Sequence, residues 1–169
     1  QGGTNLSNST TQTGTVGGIA RLSGVDALNV IYSHTQTDST SSSTSSLFKI
    51  DSATIGWSRT LTPNLSAELG GGGILISPGL TSYAANAALI MNFLNNSATI
   101  SYAHSAFPTF YGGVGVLIGD SFSLSAVQKI DRQWQLAESA SYAHTSGGSD
   151  LNSMTYDSFV AGGDIQYWV

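Results

Sequence analysis

The feature that most constrains this chain is an alternation of apolar and polar side chains with a period of two residues. Between Tyr83 and Phe93, every second residue is apolar, and an aromatic ring stands at each end of the row. Successive side chains of a β-strand point to opposite faces of a sheet, so this segment predicts a strand with one wholly apolar face. Its other face carries Asn86 and Asn92.

The same alternation predicts nine strands, and each is at least as long as the roughly 9–11 residues that a tilted strand needs to cross a bilayer. The predicted connections alternate between short turns (residues 23–26, 62–64, 95–96 and 131–132) and longer links (37–46, 105–119 and 145–155, with a medium one at 77–81). Short turns at one end and long loops at the other are typical of transmembrane barrels. The nine strands are expected near residues 13–22, 26–36, 47–60, 64–76, 82–94, 97–106, 119–130, 133–145 and 155–169.

The composition favours a protein whose sheet separates lipid from water over an ordinary soluble domain. The chain is 40% hydrophobic and only 9% charged, whereas a soluble domain carries about 25% charged residues. It has no cysteine, which excludes a disulfide scaffold and a thiolate metal site. A net charge of −5 with five scattered basic residues argues against a nucleic-acid partner. No apolar run reaches the ~18 residues of a spanning helix.

Two strand–turn–strand units, residues 120–146 and 57–68, and the run from Phe159 to Val169 resemble Gram-negative outer-membrane β-barrel proteins. The resemblance implies an all-β, antiparallel transmembrane barrel of about 9–10 strands, with short periplasmic turns and longer extracellular loops. It also implies an outer-membrane location, with membrane lipid and the barrel insertion machinery as partners. The family usually ends in Phe, whereas this chain ends in Trp168 and Val169. Residues 13–169 are expected to form the barrel, and residues 1–12 an N-terminal extension or partial strand.

A Tyr-x-His-[Ser/Thr] motif occurs three times and contains every histidine of the chain. Each copy ends a predicted strand that leads into a long link, so all three are expected at one rim, where amphipathic rings suit a membrane interface. Three imidazoles also make a zinc ligand set, but intervening strands are expected to keep these rings apart, and neither a metal nor a cofactor is expected. The rim residues are Tyr32, His34, Tyr102, His104, Tyr142 and His144.

Ser33 and Ser105 adjoin His34 and His104 in the sequence, which raises the question of a hydrolase or acyltransferase. Neighbouring strand residues point to opposite faces, so these pairs are poorly arranged for proton transfer. No catalytic residue is expected, and the chain is predicted not to be an enzyme.

Two glycine-rich stretches invite separate interpretations. The run 70–73 lacks the Lys-[Ser/Thr] and the helix of a phosphate loop, and predicts a kink where the sheet curves tightly. The apolar stretch 112–118 either folds into the barrel mouth, meets a partner, or simply extends a strand.

Charged and amide side chains divide between the two predicted faces. Glu138 and Asp51 fall among apolar neighbours, where a charge facing lipid costs several kcal/mol. Either a bulge turns such a residue inward, or this face contacts protein. The side chains predicted to line the interior are Arg21, Asn29, Glu68, Asn86, Asn92 and Lys129.

A barrel of this size has an interior largely filled by side chains. The expected function is therefore a structural or narrow-pore component of the bacterial envelope, alone or within a larger assembly of envelope subunits. A passive small-solute channel and a secreted soluble β protein, such as an adhesin or fibre subunit, stay open as alternatives. Single-chain bacterial barrels prefer even strand numbers, so nine strands suggest a hidden strand in residues 1–12, a fragment, or a wall shared with other subunits.

Overall fold

The computed structural model describes residues 8–40, 45–77, 79–109, 115–147 and 155–168, and these contain strands and no helix. The strands pair in chain order, each antiparallel to the next, in a single nine-stranded sheet. The strands are β1 (Asn8–Arg21), β2 (Asp26–Thr40), β3 (Ser45–Thr62), β4 (Leu65–Ser77), β5 (Leu80–Asn92), β6 (Asn96–Thr109), β7 (Gly115–Lys129), β8 (Trp134–Gly147) and β9 (Thr155–Tyr167).

The expectation of an all-β antiparallel fold with about nine strands is confirmed. The described strands β1 and β9 are the two edges of the sheet and are not paired with each other, so the sheet is open and not closed into a barrel. In an antiparallel series of nine, the first and last strands run in the same direction. A direct junction between β1 and β9 would therefore have to be parallel.

The strands extend further than predicted at the end where long links were expected. β2 and β3 stay paired as far as Thr40 and Ser45, and β6 and β7 as far as Thr109 and Gly115. The predicted links at 37–46 and 105–119 are therefore largely wrong, and what remains of them, residues 41–44 and 110–114, lies outside the described residues. Residues 148–154 of the predicted link 145–155 also lie outside them.

Threonine explains why the ladder continues through segments with little apolar character. Thr is β-branched and suits a strand, and hydroxyl groups pair across β1 and β2. The Oγ1 atoms of Thr11 and Thr37 lie 3.1 Å apart, as do those of Thr13 and Thr35. Residues 1–12 were expected to form an N-terminal extension or a partial strand; of these, residues 8–12 are part of β1, and residues 1–7 lie outside the described residues.

The register gives the sheet two faces that run through all nine strands. We call them the polar face, which carries Asn29, Thr54 and Asn86, and the apolar face, which carries Val30 and Ile55. Between the described strands the register shifts only once, between Thr60 and Thr62 of β3. Large side chains of the apolar face are exposed on every part of the sheet: Val16, Val30, Ile55, Leu69, Leu89, Ile100, Leu124 and Ile165.

The glycine run of β4 shows that the polar face is concave. Gly70 and Gly72 belong to the polar face, and Gly73 to the apolar face. A Cβ atom on Gly72 would lie 1.9 Å from the carbonyl oxygen of Ala53, and one on Gly70 would lie 2.3 Å from Oδ1 of Asn86. A Cβ on Gly73 would meet nothing within 4 Å. Crowding on one side only agrees with the tight curvature predicted for this run.

The buried apolar residues gather at the end of the sheet away from the short turns. There Ile50 and Ile76 of the polar face pack with Val116 of β7, which is completely buried, and with Ala106 of β6. The pairing of β5 with β6 ends at Ala85 and His104, although β6 continues to Thr109. Beyond that point β6 comes close to β3, which is not its neighbour in the sheet.

The face to which each residue of β6 and β7 belongs shows how these two strands meet the polar face of the sheet. Ala106 and Val116 belong to the apolar face by register, yet they pack against residues of the polar face. The ends of β6 and β7 (residues 105–109 and 115–119, here called the crossing hairpin) therefore pass in front of the concave side and turn their apolar side onto it. Within the stretch 112–118, residues 115–118 are both a strand extension and part of this cover, and residues 112–114 lie outside the described residues.

We expect Gly72→Ala to destabilise the fold, because the new methyl group would overlap the backbone of β3. Overpacking of this kind costs about 1–3 kcal/mol. Gly73→Ala, one residue away on the open face, is the matched control and should change the free energy of unfolding by no more than about 0.5 kcal/mol. Urea denaturation of the two variants measures the difference. Equal midpoints would contradict the assigned curvature.

Candidate functional site

Three side-chain triads on the apolar face are the most regular polar feature of the structure. In each, a Tyr-x-His pair on one strand faces an aspartate directly opposite the histidine on the next strand. The Tyr hydroxyl donates to the same carboxylate oxygen, Oδ1, that the His Nδ1 atom contacts. The triads are Tyr32–Asp51–His34, Tyr102–Asp120–His104 and Tyr142–Asp157–His144.

The geometry is nearly identical in all three copies. The Tyr Oη to Asp Oδ1 distances are 2.5, 2.6 and 2.6 Å, and the His Nδ1 to Asp Oδ1 distances are 2.7, 2.9 and 2.8 Å, in chain order. Such lengths are typical of hydrogen bonds strengthened by a charged acceptor. Because an ionised carboxylate only accepts, each Nδ1 carries the hydrogen, and Nε2 of the neutral ring becomes the acceptor.

The aspartates of the triads were missed by the sequence analysis as partners of the Tyr-x-His motif. Asp51 was noticed only as a charge on the apolar face, and Asp120 and Asp157 were not singled out. A usable signal was present, since each motif is followed in the next predicted strand by an aspartate at the mirror-image position of the hairpin. The charge of Asp51 therefore has a local explanation in its hydrogen bonds with Tyr32 and His34.

The three triads differ in their exposure. The His34 and His144 side chains are 41% and 48% exposed, whereas His104 is 8% exposed as a whole residue. The ring of His104 stacks on Tyr83 with 3.9 Å between centroids and 7° between planes. Its Nε2 atom is buried and has no hydrogen-bond partner among the residues that the structure describes. A buried polar atom without a partner is uncommon in native structures.

The serines beside the histidines lie on the opposite face, as expected from strand geometry. Ser33 projects from the polar face, where its hydroxyl accepts from Thr15, while His34 lies on the apolar face. The same parity separates Ser105 from His104. Neither neighbouring serine hydroxyl therefore contacts the His–Asp pair of its triad. The chemistry that the triads offer is hydrogen bonding through the Nε2 atom of each histidine.

The amides predicted to line the interior share the concave face. Asn29 leans over Gly56, and Asn86 leans over Gly70, since a Cβ on either glycine would lie 2.2 or 2.3 Å from the respective Oδ1 atom. Gly56 and Gly70 are themselves directly paired. The two asparagines thus flank a glycine pair in one row across β2 to β5.

The remaining residues predicted to line the interior also belong to the polar face, nearer the short turns. Arg21 and Glu68 line one shallow depression, but no hydrogen bond or ion pair joins these two described residues. Asn92 and Lys129 lie at the strand ends, opposite Ser97 and Gln135.

Glu138 stays on the apolar face. Its register partners are Ala126 and Gly163, and the pairing of β8 with both neighbours continues through this point without a shift. The bulge considered from the sequence is therefore absent, and Glu138 is exposed among small residues one strand from the open edge.

In the described part of the chain, no group of three or more His, Asp or Glu side chains is close enough to hold a metal ion. The histidines lie on β2, β6 and β8, separated as expected. The described residues include no helix long and apolar enough to span a membrane. No protein-family model matches the chain, and no curated protein or solved structure matches it significantly.

The triads predict the tautomeric state of all three histidines. We expect the neutral rings to carry their hydrogen on Nδ1, and we expect Asp120→Asn to reduce this preference at His104 alone, because a carboxamide both donates and accepts. Nitrogen-15 NMR of histidine-labelled protein distinguishes the two tautomers, with His34 and His144 as internal controls. A wild-type His104 with its hydrogen on Nε2 would be incompatible with the triad geometry.

Proposed function

We propose that the chain forms part of the wall of an outer-membrane β-barrel and acts as a structural or narrow-pore component of the bacterial envelope. The observation that carries this proposal is the division of the sheet into a concave polar face and an exposed apolar face. A contiguous exposed apolar surface needs a lipid or protein covering. A barrel in a membrane has this arrangement, with apolar side chains outward and polar ones inward.

Aromatic side chains at both ends of the apolar face support the proposal. On β8, Trp134 and Tyr142 are eight residues apart, and on β9 the same spacing separates Phe159 from Tyr167. Eight residues span about 26 Å along a strand, or roughly 20 Å when the strand is tilted by ~40°, which approaches the ~25 Å apolar band of such barrels. Trp134 and Tyr167 also pack together, with ring centroids 4.7 Å apart.

The open edges favour a component of a larger barrel over a free-standing one. The described β1 and β9 are unpaired with each other and run in the same direction. Single-chain bacterial barrels close with an even number of antiparallel strands. We therefore infer that strands beyond these nine complete the wall, and that Glu138, close to the β9 edge, lies near that contact and not in open lipid.

The crossing hairpin favours a narrow interior. It covers the concave side of β3 and β4 and buries Ile50, Ile76 and Val116 there. An open channel would need this space. The row formed by Asn29, Gly56, Gly70 and Asn86 is the one observation that favours the second candidate, a passive channel for small solutes, because it offers hydrogen-bonding groups along the concave face.

We expect the purified chain to require detergent or lipid for solubility and to migrate differently on gels before and after heating, because a folded barrel resists unfolding by detergent. Gel mobility with and without boiling, together with size-exclusion chromatography in detergent-free buffer, provides the measurement. A folded, monodisperse chain in plain buffer would instead support a secreted soluble β protein.

The narrow interior leads to a second expectation in planar bilayers. The full chain, reconstituted in its assembled form, should give no conductance steps, whereas a variant with residues 106–118 replaced by an Asn-Gly turn should give them, because the cover is removed. Heat-modifiable mobility of the variant controls for folding. Equal steps from both proteins would favour the passive channel.

A further inference from the structure

A cavity of about 280 Å³ lies between the concave face and β6, beneath the crossing hairpin. Its walls come from the polar face of β2 to β5, from Ala85 of the apolar face, and from residues 103–106 and 108 of β6. Its volume is close to the lower end of the ~300–1,000 Å³ range of small-molecule pockets.

The described lining of this cavity is polar but carries no acidic or basic side chain other than His104. Apolar walls are supplied by Ile50, Ile74 and several alanines. Hydroxyl and amide groups both donate and accept hydrogen bonds. They belong to Ser33, Thr35, Ser52, Thr54, Asn86 and Ser105.

His104 gives the cavity a directional feature. Asp120 contacts its Nδ1 atom, so the buried Nε2 atom is left as an acceptor, and nothing within the described residues donates to it. An acceptor left unsatisfied in a buried position costs free energy, which a bound hydrogen-bond donor would recover. The other two triads lack this feature because their histidines are exposed.

We propose that this cavity binds a small, uncharged polyhydroxy solute, and that a small turn of the His104 ring brings the buried Nε2 atom within reach of one of its hydroxyl groups. A hydroxyl donor satisfies the orphan nitrogen, and further hydroxyls match the serine, threonine and asparagine groups of the wall. A charged solute would find no counter-ion in the described lining. The inference concerns the concave face alone and does not depend on insertion into a membrane.

The test uses the full chain labelled with nitrogen-15 histidine, titrated with D-glucose as the probe. For a solute held by hydrogen bonds to these wall groups in a partly open cavity, we expect a dissociation constant on the order of 1–10 mM. We expect a saturable shift of the Nε2 resonance of His104, and no saturable shift at His34 or His144. Absence of saturation up to ~100 mM glucose, or equal shifts at all three histidines, would overturn the proposal.

Variants away from the triad separate binding from folding. Thr54→Val removes a hydroxyl from the cavity wall without changing the side-chain shape, and should weaken glucose binding about 5–10-fold. Thr60→Val, on the same strand and face but outside the cavity, should leave binding unchanged. Equal affinities of the two variants, or tighter binding of gluconate than of glucose, would contradict a site for uncharged polyhydroxy solutes.

Discussion

The cross-strand register is the constraint on which the rest of this structure depends. Eight antiparallel pairs keep the side chains of the described strands on one of two faces, with a single shift in these strands between Thr60 and Thr62. A slip of one residue would move a strand's whole set of side chains to the other face. It would also separate each triad aspartate from its histidine. The triads and the amphipathic wall are thus two consequences of one register.

Curvature links the two faces. Glycines at the crowded positions of β3 and β4 allow the polar side to bend inward, and Asn29 and Asn86 fill the space above Gly56 and Gly70. The crossing hairpin then covers the bent side, which explains why Ile50 and other apolar residues occur on the polar face. Ser105, Ala106 and Pro108 of the same hairpin line the cavity beneath it, so one hairpin both narrows the interior and shapes a candidate binding site.

Strand positions, the two faces and the curvature at the β4 glycines were predictable because they depend on local alternation and composition. The partners of the three Tyr-x-His motifs were not foreseen, since Asp120 and its counterparts are reached only through pairing across a hairpin. The crossing hairpin could not be predicted from the alternation of apolar and polar residues either. Val116 stays on the same side of its strand as the apolar-face residues before and after it, while the strand itself changes direction. The length of the link 37–46 was overestimated because its serine and threonine residues suggested a loop, although Thr37 and its neighbours continue the ladder.

In the proposed barrel wall, the apolar face contacts lipid and the polar face does not. The chain has no cysteine, so single spin labels can be introduced one at a time along β5 from Leu80 to Asn92. In lipid bilayers, accessibility to oxygen and to a water-soluble nickel chelate should alternate with a period of two. Leu89 and its face should favour oxygen, and Asn86 and its face the nickel chelate. Uniform accessibility to nickel along the strand would contradict the account.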